Sequence, residues 1–207
     1  MTLLLGLAAG MAGAQKLPEP IKLGTAIPMA EHPMDNATRE DDAATTLASL
    51  VKSHGLLVIF TSNTCPFVVG NGEKSEGWEG RYPGLAQLAR KLDVGMVLIN
   101  SNEANRATTE SLDAMRARWK KYKYQAPLLV DSQHAVADAF GARTTPHVFL
   151  FDGTGVLVYT GAIDDNVDSA KKVKKNYLQD AMNTVAKGQP VPVAQTKNLG
   201  CSIKRVQ

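Results

Sequence analysis

From Gly55 onward the chain alternates continuous apolar runs with amphipathic stretches. Leu56-Leu57-Val58-Ile59-Phe60 has no polar interruption, which predicts a strand buried on both faces. Gly95 to Asn100 and Leu128 to Val130 read the same way. Between these runs, Trp78 to Leu92 sets Leu85, Leu88, Ala89 and Leu92 on one helical face. Thr109 to Tyr124 does the same with Leu112, Met115 and Trp119, all expected to be buried. Asp131 and Ser132 can cap a short helix from Gln133 to Phe140, and Gly141 stops it. His147 to Phe151 and Val156 to Thr160 flank the turn Asp152-Gly153-Thr154-Gly155, which predicts a hairpin. Ser169 to Lys187 reads as a final helix stopped by Gly188.

Alternating elements that end in an antiparallel hairpin imply an α/β fold, a central mixed β-sheet with helices on both faces. In open sheets of this kind the reactive site lies beyond the carboxyl ends of strands. Ser62 to Cys65 follows one such end, and Thr144-Thr145-Pro146 leads into the hairpin. Upstream, Leu17 to Pro33 is a proline-rich arm or short strand, Asp35 to Thr38 a turn and Arg39 to Asp42 a charged surface loop. Downstream of Pro190 lies an extended tail without a hydrophobic face. The organisation read from these features is a leader over 1–14, one domain over 15–190 and a tail over 191–207 that carries Cys201.

The leader reading rests on Leu3 to Ala12, an apolar run too short for a bilayer, followed by the small-x-small pattern Ala12-Gly13-Ala14. No positively charged segment precedes it. Export to a periplasm or secretion is the expectation, without stable membrane insertion. A formal net charge of +3 is too weak to imply a nucleic-acid partner, and Lys171, Lys172, Lys174 and Lys175 read as one solvated helix face.

The chain holds two cysteines. Cys65 precedes Pro66, a residue favoured in the first turn of a helix. Free N–H groups and the positive dipole end at a helix start favour a thiolate. The plain alternative is a small buried core residue, since free cysteine is often buried. His32, His54, His134 and His147 show no metal-ligand spacing, so no metal or organic cofactor is implied. Asp164, Asp165 and Asp168 read as a solvated turn, and Trp78, Trp119 and Tyr122 as core or groove aromatics. His147 is expected to be packed or partly exposed in its strand.

Phe60-Thr61-Ser62-Asn63-Thr64-Cys65-Pro66-Phe67-Val68 resembles the active-site segment of redoxins, the peroxiredoxin-like branch of the thioredoxin superfamily that includes the alkyl hydroperoxide reductase/thiol-specific antioxidant group. Ile99-Asn100-Ser101-Asn102, Thr145-Pro146, Gly161-Ala162-Ile163-Asp164-Asp165-Asn166 and Gly200-Cys201-Ser202-Ile203-Lys204 extend the match over Leu23 to Lys204. The resemblance implies a thioredoxin-like fold and a cis proline at Pro146 beside the reactive cysteine. It implies Cys65 as nucleophile, with Ser62 and the backbone around Thr64 stabilising the thiolate. Thr145 and Pro146 would shape the substrate side.

Two departures bear on mechanism. Many members carry Cys-x-x-Cys, but Ser62 stands at the first position here, so cycling within one motif is impossible. Peroxiredoxins place an arginine near the position of Pro146; Arg143, three residues away, is the candidate substitute. Cys201 lies 136 residues after Cys65. It would either resolve a sulfenic acid formed on Cys65 or form a permanent disulfide that pins the tail. The implied function is a thiol-dependent oxidoreductase and antioxidant acting on peroxides, or alternatively on protein disulfides, with electrons from a thiol reductant protein. The rival is a non-catalytic domain with a structural Cys65–Cys201 bond.

Overall fold

A computed structural model describes residues 17–41 and 43–206. Among the described residues eight strands form in chain order: β1 (Asp35–Asn36), β2 (Leu56–Phe60), β3 (Gly95–Asn100), β4 (Leu128–Val130), β5 (Thr144–Thr145), β6 (His147–Phe151), β7 (Leu157–Gly161) and β8 (Cys201–Ser202). The helices are α1 (Pro66–Val69), α2 (Tyr82–Lys91), α3 (Leu112–Tyr122), α4 (Ala135–Phe140) and α5 (Tyr177–Val185). Six strands make one sheet in the order β1-β4-β3-β2-β6-β7, while β5 and β8 pair separately. β2, β3 and β4 run parallel to one another; β1, β6 and β7 join antiparallel. This is a thioredoxin-like mixed sheet.

The unbroken apolar runs follow from burial on both sides. Leu57 and Ile59 point into one core with Leu98, Leu150 and the inner faces of α2, α3 and α5. Leu56, Val58 and Phe60 point into the other, against α4, Leu47 and Ile203. Phe140 sits edge-on to Phe60, Phe149 and Phe151 with centroids 5.2–5.8 Å apart, the geometry that aromatic quadrupoles favour. Gly95 opens β3 because any Cβ there would lie 1.9 Å from the Leu50 carbonyl.

Several elements differ from the sequence expectation. Asp35 and Asn36 form an edge strand on β4, and the turn begins only where Asn36 Oδ1 accepts from the Thr38 amide. Leu112 is exposed because α3 starts there, capped by Ser111 Oγ accepting from the Ala114 amide; Met115 carries the buried face. Tyr122 is also exposed, its ring under the guanidinium of Arg118. The stretch expected as one helix from Ser169 breaks. A short turn covers Ala170–Lys172, the chain then runs extended, and α5 begins at Tyr177. The four lysines are therefore exposed on a turn and an extended segment, not on a helix face. Asp164 is buried and accepts from the Trp78 indole N–H at 2.7 Å and from Arg81, so it is no solvated turn residue. The Asp131 cap is present: its carboxylate accepts from the amides of Val136 and Ala137.

The leader expected over 1–14 lies outside the described residues. Among the described residues no helix is long and apolar enough to cross a membrane. Residues 17–33 form the expected arm, bridged to the start of the hairpin through Ala26 and Val156. The tail departs most from expectation. It has an apolar anchor, Ile203, buried in the second core, and it crosses the carboxyl ends of the strands to reach it.

Candidate active site

Cys65 stands directly before α1 and is 3% exposed. The helix it opens has one turn and stops at Gly70, whose φ of +79° is accessible to glycine. A single turn carries little aligned dipole, and the thiol takes no N–H group from it. The sulfur instead donates to the Thr145 carbonyl at 2.8 Å and accepts the Cys201 amide at 3.4 Å. The Thr145–Pro146 peptide bond is cis, as the family resemblance implies.

Cys201 arrives on β8. Its backbone pairs antiparallel with Thr145, and Ser202 with Thr144. Gly200 permits this approach: an added Cβ would meet the Thr145 carbonyl oxygen at 2.4 Å. The flanks are fastened on both sides. The Thr196 hydroxyl accepts from the Ala162 amide, and the Lys204 amide donates to Asn102 Oδ1. Arg205 pairs with Asp138 at 2.8 Å and donates to the Ala142 carbonyl. Cys65 and Cys201 are both free thiols, not joined by a disulfide, and the Cys201 backbone lies directly against the Cys65 sulfur. Burial pushes the half-buried Cys201 thiol up to about 11; the neighbouring Cys65 sulfur adds to the shift.

The loop before Cys65 is organised by a residue that the sequence did not single out. Glu110, fully buried, accepts from Ser62 Oγ at 2.6 Å, the Asn63 amide at 2.9 Å, Thr64 Oγ1 at 3.1 Å and Asn100 Nδ2 at 2.6 Å. A serine hydroxyl has one proton. Ser62 gives its proton to Glu110 and uses its lone pairs on the amides of Thr64 and Cys65. The expected stabilisation of a Cys65 thiolate by Ser62 and the backbone around Thr64 is therefore not the observed geometry: the Ser62 hydroxyl is directed at Glu110 and the Thr64 amide at Ser62 Oγ. Glu110 precedes α3 and is 45 residues from Cys65 in sequence, so no local pattern marks it. Its partner Asn100 does lie in the Ile99-to-Asn102 motif.

Arg143 does not reach the sulfur. Its guanidinium donates to the Pro18 carbonyl at 3.0 Å and pairs with Glu19 at 2.8 Å, because the arm passes on that side of the loop. His147 is buried on the opposite sheet face from Cys65, its ring 4.4 Å from that of Phe149. Its Nδ1 has no partner, and burial pushes its pKa down to about 4. Among the described residues no group of His, Cys, Asp and Glu side chains has a metal-binding arrangement.

The site is thus a preassembled pair of thiols beside a cis-proline loop, held by a carboxylate-centred network. The family model described as Redoxin matches residues 22–177. No curated protein matches. A hypothetical protein from Sinorhizobium meliloti is 34% identical over 91% of this chain and 97% of its own, with a TM-score of 0.78. An uncharacterized conserved protein from Geobacillus kaustophilus is 28% identical over 89% and 93%, with a TM-score of 0.77. A peroxidoxin from Mycobacterium tuberculosis shares the fold at 13% identity over 81% and 97%, with a TM-score of 0.55. The match over most of its length and the thioredoxin-like sheet support thiol-based oxidoreductase chemistry, and the chain belongs to the Redoxin family.

Proposed function

We propose that the protein is a thiol–disulfide oxidoreductase whose working couple is the Cys65/Cys201 dithiol and its disulfide. The contact of the Cys201 amide with Cys65 Sγ carries this reading, because it holds the backbone that bears the second thiol against the first sulfur. In the reducing direction, Cys65 loses its proton and attacks one sulfur of a substrate disulfide. The substrate S–S bond breaks and one substrate thiol leaves with a proton. Cys201 then attacks Cys65 in the mixed disulfide, releasing the second substrate thiol. Two protein thiols are oxidised and one disulfide is reduced by two electrons. A thiol reductant protein restores the dithiol by the reverse exchange.

A second reading, peroxide reduction, is favoured by one observation: at 3% exposure, Cys65 is more open to a small oxidant than to a protein chain. There the Cys65 sulfur takes the distal peroxide oxygen, an alcohol or water leaves, and the sulfenic acid condenses with Cys201 to release water. Disulfide exchange ranks first because no arginine hydrogen-bonds Cys65 among the described residues and the Ser62 proton is committed to Glu110. The apolar run from Leu3 to Ala12, read as a leader, supports action after export.

The test is to treat the reduced, folded protein with oxidised glutathione or hydrogen peroxide and follow intact mass. Rapid formation of a Cys65–Cys201 disulfide with glutathione supports exchange. Faster oxidation by peroxide, with a sulfenic acid on Cys65 in Cys201→Ser, selects the second reading. Resistance to both in the folded state leaves the bond, if formed, structural and removes the catalytic proposal.

A further inference from the structure

The carboxyl oxygens of Glu110 face four donors. Ser62 Oγ, the Asn63 amide, Thr64 Oγ1 and Asn100 Nδ2 all direct hydrogens at it. None of the ion pairs among the described residues involves it. Arg106, the nearest cation in sequence, donates to the Glu110 backbone carbonyl and to Asn100. The side chain is thus held by hydrogen bonds from one side of the thiol loop and one strand end. Three of the four donors belong to Ser62-Asn63-Thr64, the residues immediately before Cys65.

We infer that Glu110 is a positioning residue of the thiol centre. By taking the Ser62 proton it leaves the Ser62 oxygen free to receive the Cys65 amide at 3.2 Å. By gripping three consecutive residues it fixes the loop at the height where Cys65 Sγ meets the Thr145 carbonyl and the Cys201 amide. It touches neither sulfur. The effect is to raise the effective concentration of one thiol at the other, which sets how readily the pair closes.

The inference rests on the dithiol reading above, and the experiment separates the two. Reduced protein equilibrates with a glutathione buffer: the two protein thiols and one oxidised glutathione become the protein disulfide and two reduced glutathiones. The equilibrium constant is measured on folded wild type and on Glu110→Gln. Glutamine keeps the volume but turns an NH2 group toward hydrogen-bond donors. The constant for disulfide formation is expected to fall at least tenfold, about 30 mV toward a more easily reduced bond. A purely structural role would lower the stability of both redox states alike and leave this constant unchanged; that result overturns the inference. Absence of any disulfide in the wild type would instead overturn the dithiol reading. If Glu110→Gln does not fold, Thr64→Val removes one donor at an exposed residue. A shift of twofold or more in the same direction supports the inference, and an unchanged constant overturns it.

Discussion

The backbone N–H of Cys201 points at the sulfur of Cys65 from 3.4 Å, although 136 residues separate them. Antiparallel pairing of Cys201 with Thr145 holds it there, and the Cys65 thiol donates to the carbonyl of that same Thr145. One dipeptide edge therefore positions both thiols.

Closing the pair should stabilise the domain. A loop of 136 residues loses unfolded-state freedom worth roughly 5 kcal/mol in the chain-entropy model. Oxidised protein is expected to unfold at a higher denaturant concentration than reduced protein. Cys201→Ser should abolish the difference while keeping the fold. Equal midpoints for oxidised and reduced wild type would contradict the contact geometry.

Gly200 should be intolerant of a side chain. Its Cβ would sit 2.4 Å from the Thr145 carbonyl oxygen, which is backbone and cannot swing away. Gly200→Ala is expected to shift Cys201 from Cys65 and to cost about 1–3 kcal/mol, the usual range for overpacking. Oxidation by glutathione should slow at least tenfold in this variant. An unaltered rate would mean that β8 is not what delivers Cys201.

Cys201 should be a poor nucleophile at neutral pH. Its thiol is pushed up to about 11 by burial and by the adjacent Cys65 sulfur, against a reference of 9.0. Alkylation of Cys201 in the reduced protein, read by peptide mass, should rise tenfold per pH unit past pH 9 and level only near 11. A plateau near 9 would show an ordinary thiol. The same shift makes the reduced protein lose stability between pH 9 and 11. There the unfolded chain has released a proton that the folded one keeps.

His147 should govern part of the acid sensitivity. Its folded pKa is pushed down to about 4 from a reference of 6.5, so between these values the unfolded state binds more protons. The contribution is complete above pH 6.5 and is lost as the pH falls to 4, on the order of 3 kcal/mol. His147→Phe removes the unpartnered Nδ1 and should flatten the fall in urea midpoint between pH 7 and 5. An identical fall in wild type and variant would place the acid sensitivity elsewhere.

The central strands were legible because their signal is local. Residues 56–60 and 95–100 must be apolar on alternating sides when both faces are covered, so continuity of the run carries the answer. Hairpin residues 147–161 and the Asp131 cap were legible for a related reason: turn and cap chemistry acts within a few residues. The break between Lys172 and Tyr177 was not. The lysine-rich run suits a helix by propensity, whereas Asp165 accepts from the Lys174 amide and fixes an extended path. Leu112 was misread because helical spacing does not say where a helix starts.

By itself the sequence determined the order of elements, the mixed sheet and the two cysteines available for chemistry, because burial periodicity and residue type are written one position at a time. Tertiary structure alone decided where each polar group spends its hydrogen bonds. It sent Arg143 to Glu19, gave the Ser62 proton to Glu110, buried Ile203 and so laid Cys201 across Cys65. Such partners are set by which distant loops meet, and a hydroxyl or guanidinium turns to whichever acceptor the fold brings within 3 Å.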